Sequence, residues 1–257
     1  MESLRSKLIR VNSKERDPLL STSSSKFVIK YDANDPTLSK IHSIALKSAS
    51  IPNSEYNVTL ANNSFTFSTG GVSSTIPLLV GNYTIATLIT ALVTSAQGIA
   101  VGMGITVNTV TGKLEFTFTT PSRLLTDNEG NKLAITTGIL KGSLIDVPVF
   151  EVVGLPNLIG LENIYIACTE LSGGDYFIDA ALGQLNVFAH IPVSVPFGQI
   201  QQYLTADQMS DTIKFVADRN LDYLSIALYD DRGLVIDLQG LEWSMHLKIY
   251  YHVNSAM

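Results

Sequence analysis

The residues that could do chemistry are four histidines, a few clustered carboxylates and one cysteine. The histidines, His42, His190, His246 and His252, are scattered along the chain, and none belongs to an HxH or HExxH motif. Metal sites of those types need ligands at fixed short spacings. We therefore interpret each histidine as a strand residue rather than a ligand. The sequence predicts no metal site and no cofactor.

Three carboxylates, Asp230, Asp231 and Asp237, lie close together in the sequence. Paired carboxylates can act as general acid and base or bind calcium. Asp230 and Asp231 precede Gly233, however, and this combination is typical of a tight turn. The chain also has no GxSxG elbow, P-loop or complete GxGxxG motif. We therefore predict that the protein is not an enzyme and has no small-molecule substrate.

Cys168 ends the apolar run Ile164-Tyr165-Ile166-Ala167-Cys168. A cysteine in such a run is typically a buried structural thiol rather than a nucleophile. Because it is the single cysteine, an internal disulfide is excluded, and folding in a reducing compartment is favoured.

The composition indicates a β-rich chain with little charge. Charged residues make up 16% of the sequence, whereas ordinary soluble domains have roughly 25%. Low charge fits a subunit packed among neighbours, and it also fits a monomer with a large core. Short apolar runs separated by Gly, Pro and Asn favour a sandwich or barrel. The predicted strands start at Lys26 and continue at 41–46, 57–60, 64–68, 105–107, 114–119, 147–153, 164–169, 185–191, 221–229 and 243–253.

One amphipathic helix stands out between these strands. Apolar residues from Ile85 to Ala96 recur at helical spacing, with Thr84 or Asn82 able to cap the start and Gly98 able to end it. A weaker helical pattern runs over 205–214. Alternating aromatics at 65, 67, 116 and 118 predict core-facing strand residues. Two turns are predicted, one around Gly112 and one over 230–233.

The N-terminal segment differs from the rest of the chain. Residues 1–26 hold six basic groups against three acidic ones, and a serine run, 21–25, looks like a linker. We predict an extended arm over residues 1–25 and a domain over 26–257. The candidate assembly residues are basic: Arg5, Lys7, Arg10, Lys14 and Arg16. The arm could contact nucleic acid weakly or be a plain solvated tail. Neither a secretory signal nor a membrane span is predicted.

Several segments in order resemble the penton and minor capsid proteins of the double-jelly-roll virus lineage, which includes virophages, polinton-like viruses and nucleocytoplasmic large DNA viruses. The segments that carry the resemblance are Ile9 to Asp17, Phe27-Val28-Ile29, Ile44 to Asn53, Gly81-Asn82-Tyr83-Thr84 with Leu88 and Leu92, Leu224 to Gly233, Trp243, and Leu247-Lys248-Ile249. Each segment is a pattern of apolar and turn residues, and together they cover most of the chain.

The resemblance implies an all-β fold: one jelly-roll sandwich of about eight antiparallel strands, an inserted amphipathic helix and the extended N-terminal arm. It implies a penton subunit that forms homopentameric vertices of an icosahedral double-stranded DNA virus, next to major and minor capsid proteins. The protein would then be located in the virion, assembled in the host cytoplasm or nucleus. Whether residues 70–147 form an extra inserted subdomain stays open.

Two other functions remain open. One is an internal minor capsid (cement) protein of the same viruses. The other is a glycan-binding β-sandwich module of an appendage, for which the candidate aromatics are Tyr176, Tyr203, Tyr250 and Tyr251.

Overall fold

The computed structural model describes residues 2–32, 35–97, 102–139, 147–171, 187–205 and 212–254. The chain divides into a jelly-roll unit, Met1–Glu55 with Leu161–Met257, and an inserted unit, Tyr56–Gly160. No helix in the described ranges is long and apolar enough to cross a membrane. The described elements are β1 (Glu2–Asn12), β2 (Lys26–Lys30), β3 (Ile41–Pro52), β4 (Ser64–Thr69), β5 (Val72–Pro77), α1 (Ile85–Ala96), β6 (Met103–Val107), β7 (Leu114–Leu124), α2 (Ala134–Thr137), β8 (Val147–Glu151), β9 (Asn163–Cys168), β10 (Val187–Pro192), β11 (Ile200–Leu204), β12 (Thr212–Arg219), β13 (Tyr223–Tyr229) and β14 (Ser244–Asn254).

The jelly-roll unit consists of two antiparallel sheets. One has the strand order β1-β14-β3-β11, with β12 also paired to β3, and the other has the order β10-β9-β13-β2. Since β11 and β12 pair with successive parts of β3, they fill one strand position together. Of the eight positions, the first pairs with the last, the second with the seventh, the third with the sixth and the fourth with the fifth. This nested pairing is the jelly roll, and it confirms the predicted fold class.

The N-terminal residues are part of the jelly roll. The sequence places residues 1–25 in an arm ahead of the domain, but β1 pairs along its whole length with β14. Val11 is fully buried, and Ser24 and Ser25 of the predicted linker are buried too. The predicted boundary at residue 25 therefore matches no boundary in the structure. The many polar residues of β1 hide its strand character in the sequence, because a strand at the edge of a sheet needs few apolar residues.

The core of the jelly-roll unit forms because its strands alternate between apolar and polar residues. On β14, Met245, Leu247 and Ile249 are fully buried, while the residues between them are half-buried. Trp243 packs edge-on against Phe27 with ring centroids 5.8 Å apart. Its indole N–H donates to the carbonyl oxygen of Ser24 at 2.8 Å, which satisfies the polar end of the buried ring.

The inserted unit follows the third strand of the jelly roll and precedes the fourth. Its sheet has the order β5-β4-β7-β6, and β8 also pairs with β7. The helix α1 starts at a capping box between Thr84 and Thr87, and it buries Leu88, Leu92 and Ala96. The structure thus answers the open question about residues 70–147, since a separate compact unit spans 56–160.

Aromatic residues fill the core of the inserted unit as the alternation predicted. All four phenylalanines of β4 and β7 are buried. Phe65 and Phe116 stack with centroids 5.5 Å apart and planes 7° apart. The β6–β7 hairpin is confirmed, and Gly112 has the positive φ of 73° that its turn needs.

Some local predictions are wrong. Residues 212–214 of the predicted second helix belong to β12, and residues 206–211 lie outside the described ranges. The predicted strand over 57–60 is reduced to one bridge between Val58 and Gly81. The 230–233 turn is present, but its return segment makes a single bridge, Tyr229 to Val235, rather than a strand.

Candidate assembly surface

The strand β1, at one edge of its sheet, carries three of the five predicted assembly residues, Arg5, Lys7 and Arg10. Lys7 donates to Asp35 Oδ2 at 3.1 Å and to Thr37 Oγ1 at 2.9 Å. Hydrogen bonds from Thr37, and then from Lys7, lower the pKa of Asp35 to about 2. Lys7 therefore connects β1 to the loop between β2 and β3 of its own chain. Arg5 lies nearby on the strand and is exposed.

Arg16 also makes contacts within the chain. Its guanidinium donates to Glu242 at 2.7 and 2.8 Å and to the carbonyl oxygen of Ser13 at 2.7 Å. Ser13 donates its hydroxyl to the same carboxylate. This network joins the end of β1 to the residues that precede β14. Arg10 and Lys14 are exposed, so the five predicted residues do not form one uniform basic arm.

The two edges of this sheet expose aliphatic residues at the same spacing. On β1, Leu4 is 54% exposed and Leu8 is 58% exposed. On β11, at the opposite edge, Ile200 is 55% exposed and Leu204 is 78% exposed. An open strand edge also presents unpaired N–H and C=O groups, which can pair with another chain. The sequence patterns indicate neither pair, because they do not predict β11 and they place β1 in an arm.

The three carboxylates that are close in the sequence accept hydrogen bonds from different partners. Asp230 is buried and accepts from the backbone N–H groups of Arg232 at 2.9 Å and Leu234 at 2.8 Å. Asp231 accepts from the side chain of Asn163 at 2.7 Å. Asp237 accepts from the backbone N–H of Gln239 at 2.8 Å. The contacts of Asp230 therefore support the turn interpretation, whereas Asp231 binds a residue outside the turn and Asp237 caps a second, separate turn.

A buried acid that sequence reasoning missed lies beside this turn. Glu55 is 8% exposed, and its Oε1 lies 3.5 Å from Nη2 of Arg232. Its Oε2 has no hydrogen-bond partner among the described residues. Burial, and then the negative charge of Asp230, raises the pKa of Glu55 to about 7. In the sequence, Asn53-Ser54-Glu55 after a strand resembles an ordinary exposed turn.

Two of the scattered histidines meet on the jelly-roll unit. His42 on β3 and His252 on β14 have ring centroids 5.2 Å apart, and both face Asp218 on β12. Both are strand residues, as predicted, but the scatter of the histidines in the sequence did not indicate that two of them meet. His190 instead contacts Asn163 at 2.8 Å, and His246 contacts Ser48 at 3.0 Å.

Cys168 is buried, as predicted, with 1% of its surface exposed. Burial, together with the nearby carboxylate of Glu170, raises the pKa of the thiol. A thiol in this setting stays protonated at neutral pH and is a poor nucleophile. Among the tyrosines considered for glycan stacking, Tyr203 packs against the core, Tyr250 and Tyr251 are half-buried, and Tyr176 lies outside the described residues.

Comparison with solved structures identifies the fold. The crystal structure of the mavirus penton protein is similar with a TM-score of 0.53 and 8% sequence identity, over 97% of this chain and 100% of that one. The chain has the penton fold. A chain in the cryo-EM structure of the Sputnik virophage is also similar, with a TM-score of 0.41 and 12% identity over 97% of this chain and 98% of that one. No protein-family model and no curated protein matches the sequence.

The penton fold accounts for the position of the candidate edges. Because the first and sixth strand positions end one sheet, β1 and β11 are at opposite sides of it. The likeness extends over nearly the full length of both chains, so it includes residues of the inserted unit as well as the jelly roll.

Proposed function

We propose that this protein is a structural subunit of a virus capsid and that five copies form the vertex of an icosahedral double-stranded DNA virus. The observation that carries the proposal is the shared fold with the mavirus penton protein over 97% of this chain and 100% of that one. The protein acts by association with copies of itself and with neighbouring major and minor capsid proteins, without catalysis. Its location is the virion, assembled in the cytoplasm or nucleus of the host cell.

The exposed aliphatic residues at the β1 and β11 edges support assembly of the subunits into a ring. A cyclic assembly with more than two subunits needs two different patches that fit each other, one on each side of the subunit. Leu4 and Leu8 on β1 provide one patch, and Ile200 and Leu204 on β11 provide the other. Burial of these side chains gives about 25 cal/mol per Å² of apolar surface, reduced by the entropy lost on association. We infer that the β1 edge of one subunit contacts the β11 edge of the next.

The contact with nucleic acid is weak in this proposal. Lys7 and Arg16 are engaged with Asp35 and Glu242 of the same chain. The exposed basic residues of the first sixteen are then Arg5, Arg10 and Lys14. So few charges give little affinity for phosphate at physiological salt, since that affinity grows with the number of neutralised phosphates.

The oligomeric mass tests the proposal. Native mass spectrometry and light scattering of the purified chain should show a species of five chain masses of 27.8 kDa, and negative-stain images should show five-fold rings. A protein that stays monomeric at the highest attainable concentration contradicts the vertex assignment. A glycan array run on the same sample separates the remaining alternatives. Binding to a glycan by a monomer would favour an appendage module, and its absence an internal minor capsid protein.

A further inference from the structure

Three side chains from three neighbouring strands converge on the face of the jelly-roll unit. His252 Nδ1 lies 2.7 Å from Asp218 Oδ2, and His42 Nδ1 lies 3.7 Å from Asp218 Oδ1. One ligand atom from each of the three residues can be chosen so that all lie within 4.8 Å of one another. The histidines are half-buried and Asp218 is exposed, so the cluster is open to solvent on one side.

Irregular strand pairing brings these residues together. Opposite β14, Ser43 pairs with Tyr250 and Ile41 pairs with Tyr251, so His42 is an extra residue of β3. In the pairing with β12, Ser43 pairs with Lys214 and Ile41 pairs with Arg219. Four residues of β12, 215–218, therefore lie opposite the single residue His42 of β3. Two bulges from different strands thus occur at the same residue. Bulges often re-aim a side chain beside a functional site.

We propose that His42, Asp218 and His252 form a binding site for a divalent transition-metal ion such as Zn²⁺. Two imidazole nitrogens and one carboxylate oxygen are a common ligand set for such ions. With metal–ligand bonds of about 2.0–2.1 Å, tetrahedral geometry places ligand atoms about 3.3 Å apart. On metal binding, the 2.7 Å distance between His252 Nδ1 and Asp218 Oδ2 must increase slightly, and the distances of up to 4.8 Å between the other ligand atoms must decrease. Rotation of half-exposed side chains on a fixed sheet is enough for both changes.

The ligand set determines which ions bind. Imidazole suits Zn²⁺, Co²⁺, Ni²⁺ and Cu²⁺, whereas Ca²⁺ and Mg²⁺ require oxygen ligands. One carboxylate charge against a divalent ion leaves a net positive site. Three protein ligands also leave a fourth position open, which water or a donor from another molecule fills.

The site does not depend on the proposed capsid role. Its residues all belong to one chain and to one compact unit, so a monomer and a pentamer carry the same number of sites per chain. A metal titration expressed per chain therefore gives the same answer whichever oligomer forms.

The test is a titration of the purified full chain, with any affinity tag removed because a histidine tag binds the same ions. Isothermal titration calorimetry with Zn²⁺ should give one site per chain, and Ca²⁺ should give no heat at that site. Co²⁺ should produce a visible absorption band of a tetrahedral complex. Each of the variants His42→Asn, Asp218→Asn and His252→Asn should weaken Zn²⁺ binding at least tenfold and abolish the band.

Two matched controls make the test specific. His190→Asn and His246→Asn remove other half-exposed or exposed histidines of the jelly-roll unit, and they should leave Zn²⁺ affinity and the Co²⁺ band unchanged. Asp218→Asn keeps side-chain size, so it tests the site even if a histidine variant misfolds. Wild-type protein that binds Zn²⁺ no better than the Asp218→Asn variant would overturn the proposal. Equal loss of binding in His246→Asn would do the same.

Discussion

Val11 on β1 lies opposite Met245 on β14, and both side chains are fully buried. The start of the chain and its end therefore share one core. The segment predicted as an extended arm instead contains the first strand of the sandwich. Three of its basic residues, Arg5, Lys7 and Arg10, lie on this strand, where their positions are fixed relative to β14.

Removal of residues 2–12 should abolish the cooperative folding of the jelly-roll unit. The deletion takes away an eleven-residue strand and uncovers Met245 and Leu247 on β14. Trp243 is the only tryptophan of the chain and is buried beside this strand, so a red shift of its emission reports the loss. Removal of residues 2–6 is the control, because residues 3–6 are exposed. A shortened chain that melts like the full one would show that β1 is dispensable.

Stability should fall as pH rises from about 4.5 to about 7 because of Glu55. Its pKa is raised from 4.5 to about 7. In that window the unfolded chain loses the proton while the folded chain keeps it, so each pH step favours unfolding, and the effect levels off above pH 7. Glu55→Gln should flatten this slope and raise the free energy of unfolding at pH 8 by about 1–3 kcal/mol.

Urea denaturation at several pH values measures this effect. The exposed Glu162→Gln is the control and should keep the wild-type slope. If Glu55→Gln retains the full pH dependence, then the raised pKa of Glu55 is not its source.

Charged substitutions at either edge of the sheet should weaken association without unfolding the chain. Leu8→Lys on β1 and Leu204→Lys on β11 each place a charge where the proposed ring buries an aliphatic side chain. Both should shift the mass distribution towards monomer while the thermal midpoint stays near that of the wild type. Val110→Lys, at a residue 92% exposed in a turn of the inserted unit, serves as the control. An unchanged pentamer in both edge variants would contradict the edge-to-edge contact.

Phe116→Ala should destabilise the inserted unit by about 3–5 kcal/mol, the usual range for a buried phenylalanine. Phe116 is fully buried and stacked on Phe65, so truncation removes this ring contact and leaves a cavity in the core. Phe116→Leu should cost less because it keeps most of the volume. Hydrogen exchange of the β4 and β7 amides measures the effect locally. Protection factors equal to those of the wild type would contradict it.

Sequence patterns predicted the parts of this fold that alternate strongly. The strands β3, β7, β9, β13 and β14, the helix α1 and the phenylalanine core all follow from periodicity and burial. Sequence patterns did not predict the strands that are short, polar or at a sheet edge, such as β1, β5, β11 and β12. Such strands show little alternation of apolar and polar residues, because few of their side chains must be buried. Pairing with neighbouring strands then decides their conformation.

The site residues were harder to predict than the strands. His42 and Asp218 are separated by 176 positions in the sequence, and the two bulges that bring them together, between the paired residues Ile41 and Ser43, are visible only in the folded chain. The burial of Glu55 could not be predicted from its sequence neighbours, because it depends on residues 230–232, which are far away in the sequence. The basic residues at positions 5–16 were predicted as assembly residues, but the ion pairs of Lys7 with Asp35 and of Arg16 with Glu242 could be seen only in the folded chain.

The pairing of β1 with β14 also sets the order of events during translation. Glu2 pairs with Asn254, so β1 has no partner until residues 244–254 have left the ribosome. Until then the backbone groups of β1 that pair with β14 stay available to other chains. Contacts between distant parts of a sequence form slowly, and unpaired strands of this kind are prone to aggregation. Expression at low temperature or with chaperones that hold nascent chains should therefore increase the soluble yield.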